Sequence, residues 1–337
     1  MSRAARIGLM LWPAPGLDAD FERGQWAEQA GYDDLWLADA EGLPDPIALA
    51  AALGVGTERV RLCTGIVPVF NRPPAVLATG VVAAAARAPG RFVLGLGAST
   101  ANMVQRWYGL DYARPLTRVR ETVALLRAIL SGEKTRFTGT TLSSQGFQLK
   151  SIPAPPVPIV LGAIGARMLE LAGEVADGVL LNDFTPPDRL PWALERIAAG
   201  AQRAGRRLED VEIIKRRAGY MTDDEADGLA HGRDHLAFYA SAGPYQNILC
   251  ELGYAEAVAE ARAGYASRDR ARITAAISDD MVRRIFGFGD EAHWHTSIRE
   301  DLAGGVASIV ISPQAADAAG FARGAEAFSR ARFNPEH

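Results

Sequence analysis

The sequence predicts an α/β protein built as one closed parallel (β/α)8 barrel with insertions. Three observations predict it. Eight short apolar runs alternate with longer amphipathic ones, no low-complexity linker separates them, and 337 residues suit one large barrel as well as two average domains.

Each element follows from its residues. RIGLMLW (6–12) is an apolar run stopped by Pro13 and Pro15, hence a buried strand. Between 17 and 30, Phe21, Trp26, Ala27 and Ala30 recur at helical spacing, and Gly31 closes the helix. DDLWLAD (33–39) is the second strand, and the helix over 45–58 opens with Asp45 as N-cap and Pro46 at its first position. RVRLCTGIV (59–67) is the third strand, followed by a helix over 74–88 that ends at Pro89-Gly90. RFVLGLG (91–97) is the fourth strand, and the strongly amphipathic stretch 115–133 is a helix. The pattern breaks once, at 134–149, where alternation with Gly139 and Gly146 predicts a short antiparallel excursion. Strands at 157–163 and 177–184, with a helix over 165–176 between them, resume the alternation. After a helix over 190–205 and a seventh strand at 210–221, a long helical stretch spans 224–289. This stretch is too long for one barrel helix and is expected to be a helical insertion in a domain covering 1–337. A helix near 293–305, the last apolar run VASIVIS (306–312) and a terminal helix complete the chain.

Composition narrows the function. With 36 basic and 40 acidic side chains the net charge is −4, which argues against a nucleic acid or an anionic membrane as partner. No apolar run approaches the roughly 18–20 residues of a membrane helix, and the start MSRAARIGLM lacks a signal-peptide core. Cys63 and Cys250 are the only cysteines and form no C-x-x-C pair, so a reducing cytoplasm is expected, without a disulfide scaffold or cysteine-zinc site. No G-x-G-x-x-G opens the first crossover, no Walker lysine follows a Gly-rich loop, and no G-x-S-x-G elbow is present.

A parallel barrel gathers its reactive groups at the carboxyl ends of the strands. Gly65, Gly95, Gly97, Gly162, Gly165 and Gly178 lie at or beside such ends, where small residues let backbone amides approach a ligand. GASTANM (97–103) and GAIGARM (162–168), on adjacent strands, together suit a phosphate cradle, though turn packing alone would also explain their glycines. Asp39 and Glu41 follow the second strand and Asn182 and Asp183 end the sixth, at the mouth or as helix caps. Lys215 and Arg216, on the seventh, could meet an anion or form ion pairs. His231 and His235 have a metal-ligating spacing around Asp234, but no third ligand accompanies them, so they are read as surface or packing residues. His293 and His295 are assigned to a helix start, and no metal is expected.

Several of these segments together resemble the bacterial luciferase-like superfamily of flavin and deazaflavin oxidoreductases. They are GYDDLWLAD (31–39), TERVRLCTGIVPVFNRPPAVLA (57–78), GRFVLGLGAS (90–99), RETVALLRAILSGEKTRFTG (120–139), PPVPIVLGAIGARMLELAGEVADGVLLN (155–182) and GFGDEAHWHTSIREDLAGGVASIVIS (287–312). The likeness is to the coenzyme F420-dependent branch, similar to methylenetetrahydromethanopterin reductase, and it runs through the whole chain in order. It implies a TIM-type barrel with a flavin-type ring at the carboxyl ends of the strands. It also implies a cis peptide at Gly65–Ile66, with Ile66 and Val67 forming a bulge against the ring. Phosphate contacts carried over from the family fall on Ala98, Ser99 and Thr100, next to the cofactor-binding Gly97, and on Ala163, Ile164, Gly165 and Ala166. Asp39 corresponds to the acidic residue near the deazaflavin, with Ala40 and Asn182 beside the ring.

Two departures shape the expected reaction. Ala40 stands where several F420-dependent dehydrogenases have His, and Thr100 where they have Glu. Both remove a proton donor or acceptor, which points away from sugar-phosphate and alcohol dehydrogenases. Reduction of an activated C=C or C=N bond needs less acid–base help, since the cofactor supplies the hydride. The candidate catalytic residues are Asp39, Glu41 and Tyr108, with Asn182 as a further donor. Alternative readings are an FMN-dependent monooxygenase, whose pocket Trp12, Phe70, Trp107 and Phe184 could line, and a non-catalytic flavin-binding protein. The resemblance also implies a homodimer, with the helices over 74–88 and 115–133 available to bury its face.

Overall fold

The computed structural model describes residues 5–12, 17–40, 42–315 and 317–335. The eight apolar runs form β1 (Arg6–Leu11), β2 (Asp34–Leu37), β3 (Arg61–Thr64), β5 (Phe92–Gly97), β8 (Ile159–Gly162), β9 (Gly178–Leu181), β10 (Glu212–Met221) and β12 (Ser308–Pro313). Between them lie β4 (Val67–Pro68), the hairpin β6 (Arg136–Thr138) and β7 (Ser143–Gln145), and β11 (Gly287–Gly289). Every neighbouring pair of the eight is parallel. β1 pairs with both β2 and β12, so the sheet closes on itself as a TIM-type barrel.

The helices lie outside, as parallel crossovers require. They are α1 (Leu17–Gln29), α2 (Pro46–Gly56), α3 (Pro74–Arg87), α4 (Ala101–Arg106), α5 (Pro115–Leu130), α6 (Ala166–Val175) and α7 (Leu190–Arg203). After β10 come α8 (Glu225–Tyr239), α9 (Gly243–Glu251), α10 (Ala255–Ser267), α11 (Arg270–Ala275) and α12 (Asp279–Ile285), then α13 (Glu291–Ala303) and α14 (Ala318–Glu326). Asp45 caps α2 as the sequence predicts, its Oδ1 accepting from the amides of Ile47 (2.8 Å) and Ala48 (3.0 Å).

The local structure departs from the sequence reading at three places. β3 stops at Thr64 rather than running to Val67. The Thr64 hydroxyl donates to the Gly95 carbonyl (2.9 Å) and accepts from the Gly95 amide (2.8 Å), so a side chain takes the place of the ladder there. The Gly65–Ile66 peptide that follows is cis, at the bond the resemblance singles out. Second, the segment after Thr100, to which the sequence reading assigns no element, is the helix α4; Thr100 caps it by accepting from the Met103 amide (3.3 Å). Third, the stretch 224–289 is five helices and a short strand. Those helices share an apolar cluster with Phe184 and Ala218 at the ends of β9 and β10.

Side-chain alternation along the strands decides what the barrel interior contains. Met10, Trp36, Cys63, Val93, Val160, Leu180, Ile214 and Val310, one from each strand, form the inner apolar cluster. Toward the amino-terminal ends the interior becomes charged. Buried Asp34 accepts a two-pronged bond from Arg61 (2.6 Å on each oxygen) and one from Ser308 Oγ (3.1 Å), while Glu212 accepts from Arg61 and Arg6. These charges stopper that end of the barrel, and the opposite end is the mouth.

Candidate active site

Two residues beyond the inner cluster on each strand, the same alternation reaches Trp12, Ala38, Gly65, Gly95, Gly162, Asn182, Arg216 and Ser312. The mouth therefore has two contiguous halves. The half from β2, β3, β5 and β8 carries one alanine and three glycines. The half from β9, β10, β12 and β1 carries an amide, a guanidinium, a hydroxyl and an indole.

Ile66 occupies the bare half. A Cβ added at Gly97 would lie 2.4 Å from its Cδ1, and Cβ atoms at Gly95 and Gly162 would lie 3.3 and 3.4 Å from its Cγ2. Gly97 is the glycine this branched side chain requires; a Cβ at Gly95 would first strike the Thr64 carbonyl (1.9 Å), and at Gly162 Ile66 makes ordinary contact, so Ile66 forms an apolar floor over all three. Val67 is fully buried behind it.

The two predicted turns flank that floor. After β5, Ser99 takes a left-handed backbone (φ 60°), its carbonyl accepts from Tyr112 Oη (3.1 Å) and its hydroxyl faces Met103 Sδ (3.4 Å). After β8, Gly165 caps α6 with no side-chain hydrogen bond, and a Cβ there would meet nothing within 4 Å. The first amides of α6 are thus left for a ligand, with the helix dipole behind them. Ala98 and Ile164 are partly buried and Ala163 is buried, which ties both turns to the core.

The predicted proton donors do not form one group. Asp39 Oδ2 accepts from Arg72 Nη1 (2.6 Å), and Arg72 also bonds Asp45 (2.7 Å), so the carboxylate is engaged at the rim beside Ala40. Burial raises its pKa, against the opposing pull of Arg72. Tyr108 lies beyond α4, 39% exposed, with its ring edge-on to Trp107. Glu41 lies outside the described residues. Asn182 sits in the polar half, its Oδ1 accepting from the Phe184 amide (3.1 Å) and its Nδ2 reaching Tyr245 Oη (3.5 Å).

Beside Asn182 the structure assembles a cluster that the sequence reading does not. Asp183 is buried; its Oδ2 accepts from Arg216 Nη2 (2.5 Å) and its Oδ1 from the Ala218 amide (2.7 Å). Burial alone would raise the Asp183 pKa, but Arg216, His235 and that amide hold it well below the usual carboxylate range. Arg216 Nη2 also donates to Tyr239 Oη (3.1 Å), and His235 Nε2 lies 3.6 Å from Asp183. His235 is thus a packing residue, against Asp183, Tyr239 and Phe286, and His231 stacks on Tyr220 with ring centres 3.7 Å apart. Among the described residues no three His, Cys, Asp or Glu side chains gather as for a metal ion.

The fold defines a (β/α)8 barrel whose candidate site lies at the carboxyl ends of its strands. Residues 5–308 match the family model for the luciferase-like monooxygenases, and the chain belongs to that family. It is an oxidoreductase, as its relatives are. A 5,10-methylenetetrahydromethanopterin reductase of Methanolobus tindarius is 33% identical over 65% of this chain and 66% of its own length. The enzyme of that name from Archaeoglobus fulgidus is 28% identical over 76% and 77%. Among solved structures, the coenzyme F420-dependent tetrahydromethanopterin reductase of Methanopyrus kandleri superposes with a TM-score of 0.80, covering 97% and 98% of the two chains. At 21% identity that likeness speaks for the fold. No helix among the described residues is long and apolar enough to cross a membrane.

Proposed function

We propose that the protein is a coenzyme F420-dependent oxidoreductase acting on a small organic substrate, by reduction of an activated C=C or C=N bond. The carrying observation is the bare half of the mouth, an Ile66 floor set over Gly95, Gly97 and Gly162 and flanked by two amide-rich turns. A flat tricycle with an anionic tail suits that arrangement: the floor takes one face of the ring, and the open space at Gly165 admits a phosphate to the first amides of α6. The relatives named for F420 or for tetrahydromethanopterin favour a deazaflavin over FMN.

When bound, the deazaflavin supplies a hydride equivalent. The chain's own residues do the rest. Ala98, Ser99 and Thr100 with Ala163, Ile164, Gly165 and Ala166 hold the tail, while Gly65, Ile66 and Val67 back the ring. Asp39, kept at the rim by Arg72, and Asn182 border the ring's edge, and the polar half faces the substrate. Tyr108 and Glu41 are the further candidate proton donors to the substrate.

Fluorescence titration of the purified protein with coenzyme F420 tests the reading. Saturable binding that weakens at least tenfold in Gly165→Asp, with its added negative charge, is expected. Binding of FMN with none of F420 would overturn it in favour of a flavin monooxygenase.

A further inference from the structure

We infer that Arg216 is the group that meets the negative charge an acceptor gains when hydride reaches it, with Asp183 and Tyr239 as its positioning residues. The acceptor is then a conjugated carbonyl or an imine, whose heteroatom can carry that charge. This inference rests on the hydride-transfer reading above and specifies its substrate side.

Arg216 continues the inward alternation of β10, two residues beyond Ile214 of the inner cluster. It is the only charged residue among the positions facing the mouth at that level. Only 8% of it is exposed, and a buried guanidinium is costly unless its surroundings hold it. They hold one end. Nη2 bonds Asp183 and Tyr239, and Asp183 is fixed in turn by the Ala218 amide. The Nε–H is buried and has no hydrogen-bond partner. Both bonds come from Nη2, so the planar fork is held in place while its other N–H groups are not engaged by these partners.

The charges fit a neutral substrate that becomes an anion. Asp183 balances Arg216, so the resting pair does not demand an anionic ligand. Burial raises the Tyr245 pKa, so its hydroxyl stays neutral next to Asn182. Charge that develops on the acceptor then meets donors already oriented by the buried Asp183 and Tyr239 contacts. The step balances as follows. The hydride pair from the reduced deazaflavin forms the new C–H bond, and the acceptor's π pair moves to its oxygen or nitrogen. That atom rests against Arg216 until a proton from water neutralises it, and the coenzyme leaves oxidised.

A probe that needs no turnover tests this. 4-Nitrophenol has a planar ring and an oxygen whose ionisation is read from its visible absorbance. We expect the wild-type protein to bind it as the anion at a pH where the free compound is mostly neutral. In the double variant Arg216→Met with Asp183→Asn, which removes both charges together, affinity for the anion should fall at least tenfold. Arg216→Lys should fall between the two, since it keeps the charge and loses the fork. Melting temperature and circular dichroism confirm that the variants are folded. Anion binding unchanged in the folded double variant overturns the inference, as does a wild-type protein that does not ionise the probe. F420 titration of the wild type reports separately: its failure removes the coenzyme assignment, while nitrophenolate binding still measures the Arg216 site.

Discussion

At the scale of single residues, two aspartates at the mouth are tuned in opposite directions. Burial raises Asp39 despite Arg72, whereas Arg216 and its neighbours hold Asp183 low despite complete burial. Replacing Arg72 with Met removes the opposing pull, so the Asp39 carboxyl should titrate at still higher pH, as followed by carboxyl carbon NMR. For Asp183 the sign is reversed. A carboxyl whose folded pKa is depressed adds stability above the unfolded value of about 4, and that stability fades as pH falls toward the folded value. Acid should therefore lower the wild-type melting temperature more steeply below about pH 4 than that of the double variant Asp183→Asn, Arg216→Met. Asp183→Asn alone leaves a buried cation unpaired and should cost about 3–5 kcal/mol, read from urea unfolding. Strand ends made Asp39, Asn182 and Asp183 legible in the sequence. His235 was legible as a packing residue, but its neighbours, Asp183 and Phe286, were not, because they come from distant segments.

At the scale of elements, glycine marks both packing and access. A Cβ at Gly200 in α7 would lie 1.8 Å from the Glu170 carbonyl, and one at Gly173 in α6 would lie 2.1 Å from that of Ile197. The two helices cross almost backbone to backbone. Gly200→Ala must push them apart and should destabilise the protein by about 1–3 kcal/mol or more, measured by urea denaturation. Gly165→Ala meets open space, so the folded protein should melt like the parent while its affinity for F420 drops. Helical periodicity located α6 and α7, but their close crossing was not legible because a glycine inside a helix leaves no periodic signal. The six residues of α4 were missed for a related reason: too few turns to register a period.

For the whole molecule, the barrel was legible because each strand is an apolar run and each crossover an amphipathic one. The insertion was legible as helical but not as part of the mouth. Its shared cluster with Phe184 and Ala218 depends on contacts between residues far apart in the chain. The stopper at the amino-terminal end also escaped notice, since Asp34, Arg61 and Glu212 look like ordinary strand-end charges. Asp34→Ala removes the two-pronged partner of Arg61 and leaves Glu212 alone to balance Arg61 and Arg6, so the melting temperature should drop.

That stopper also governs traffic. With Asp34, Arg61 and Glu212 plugging one end and Met10 and Trp36 filling the middle, everything that visits the pore shares a single doorway. On the proposed reading, coenzyme and substrate would both have to use that doorway.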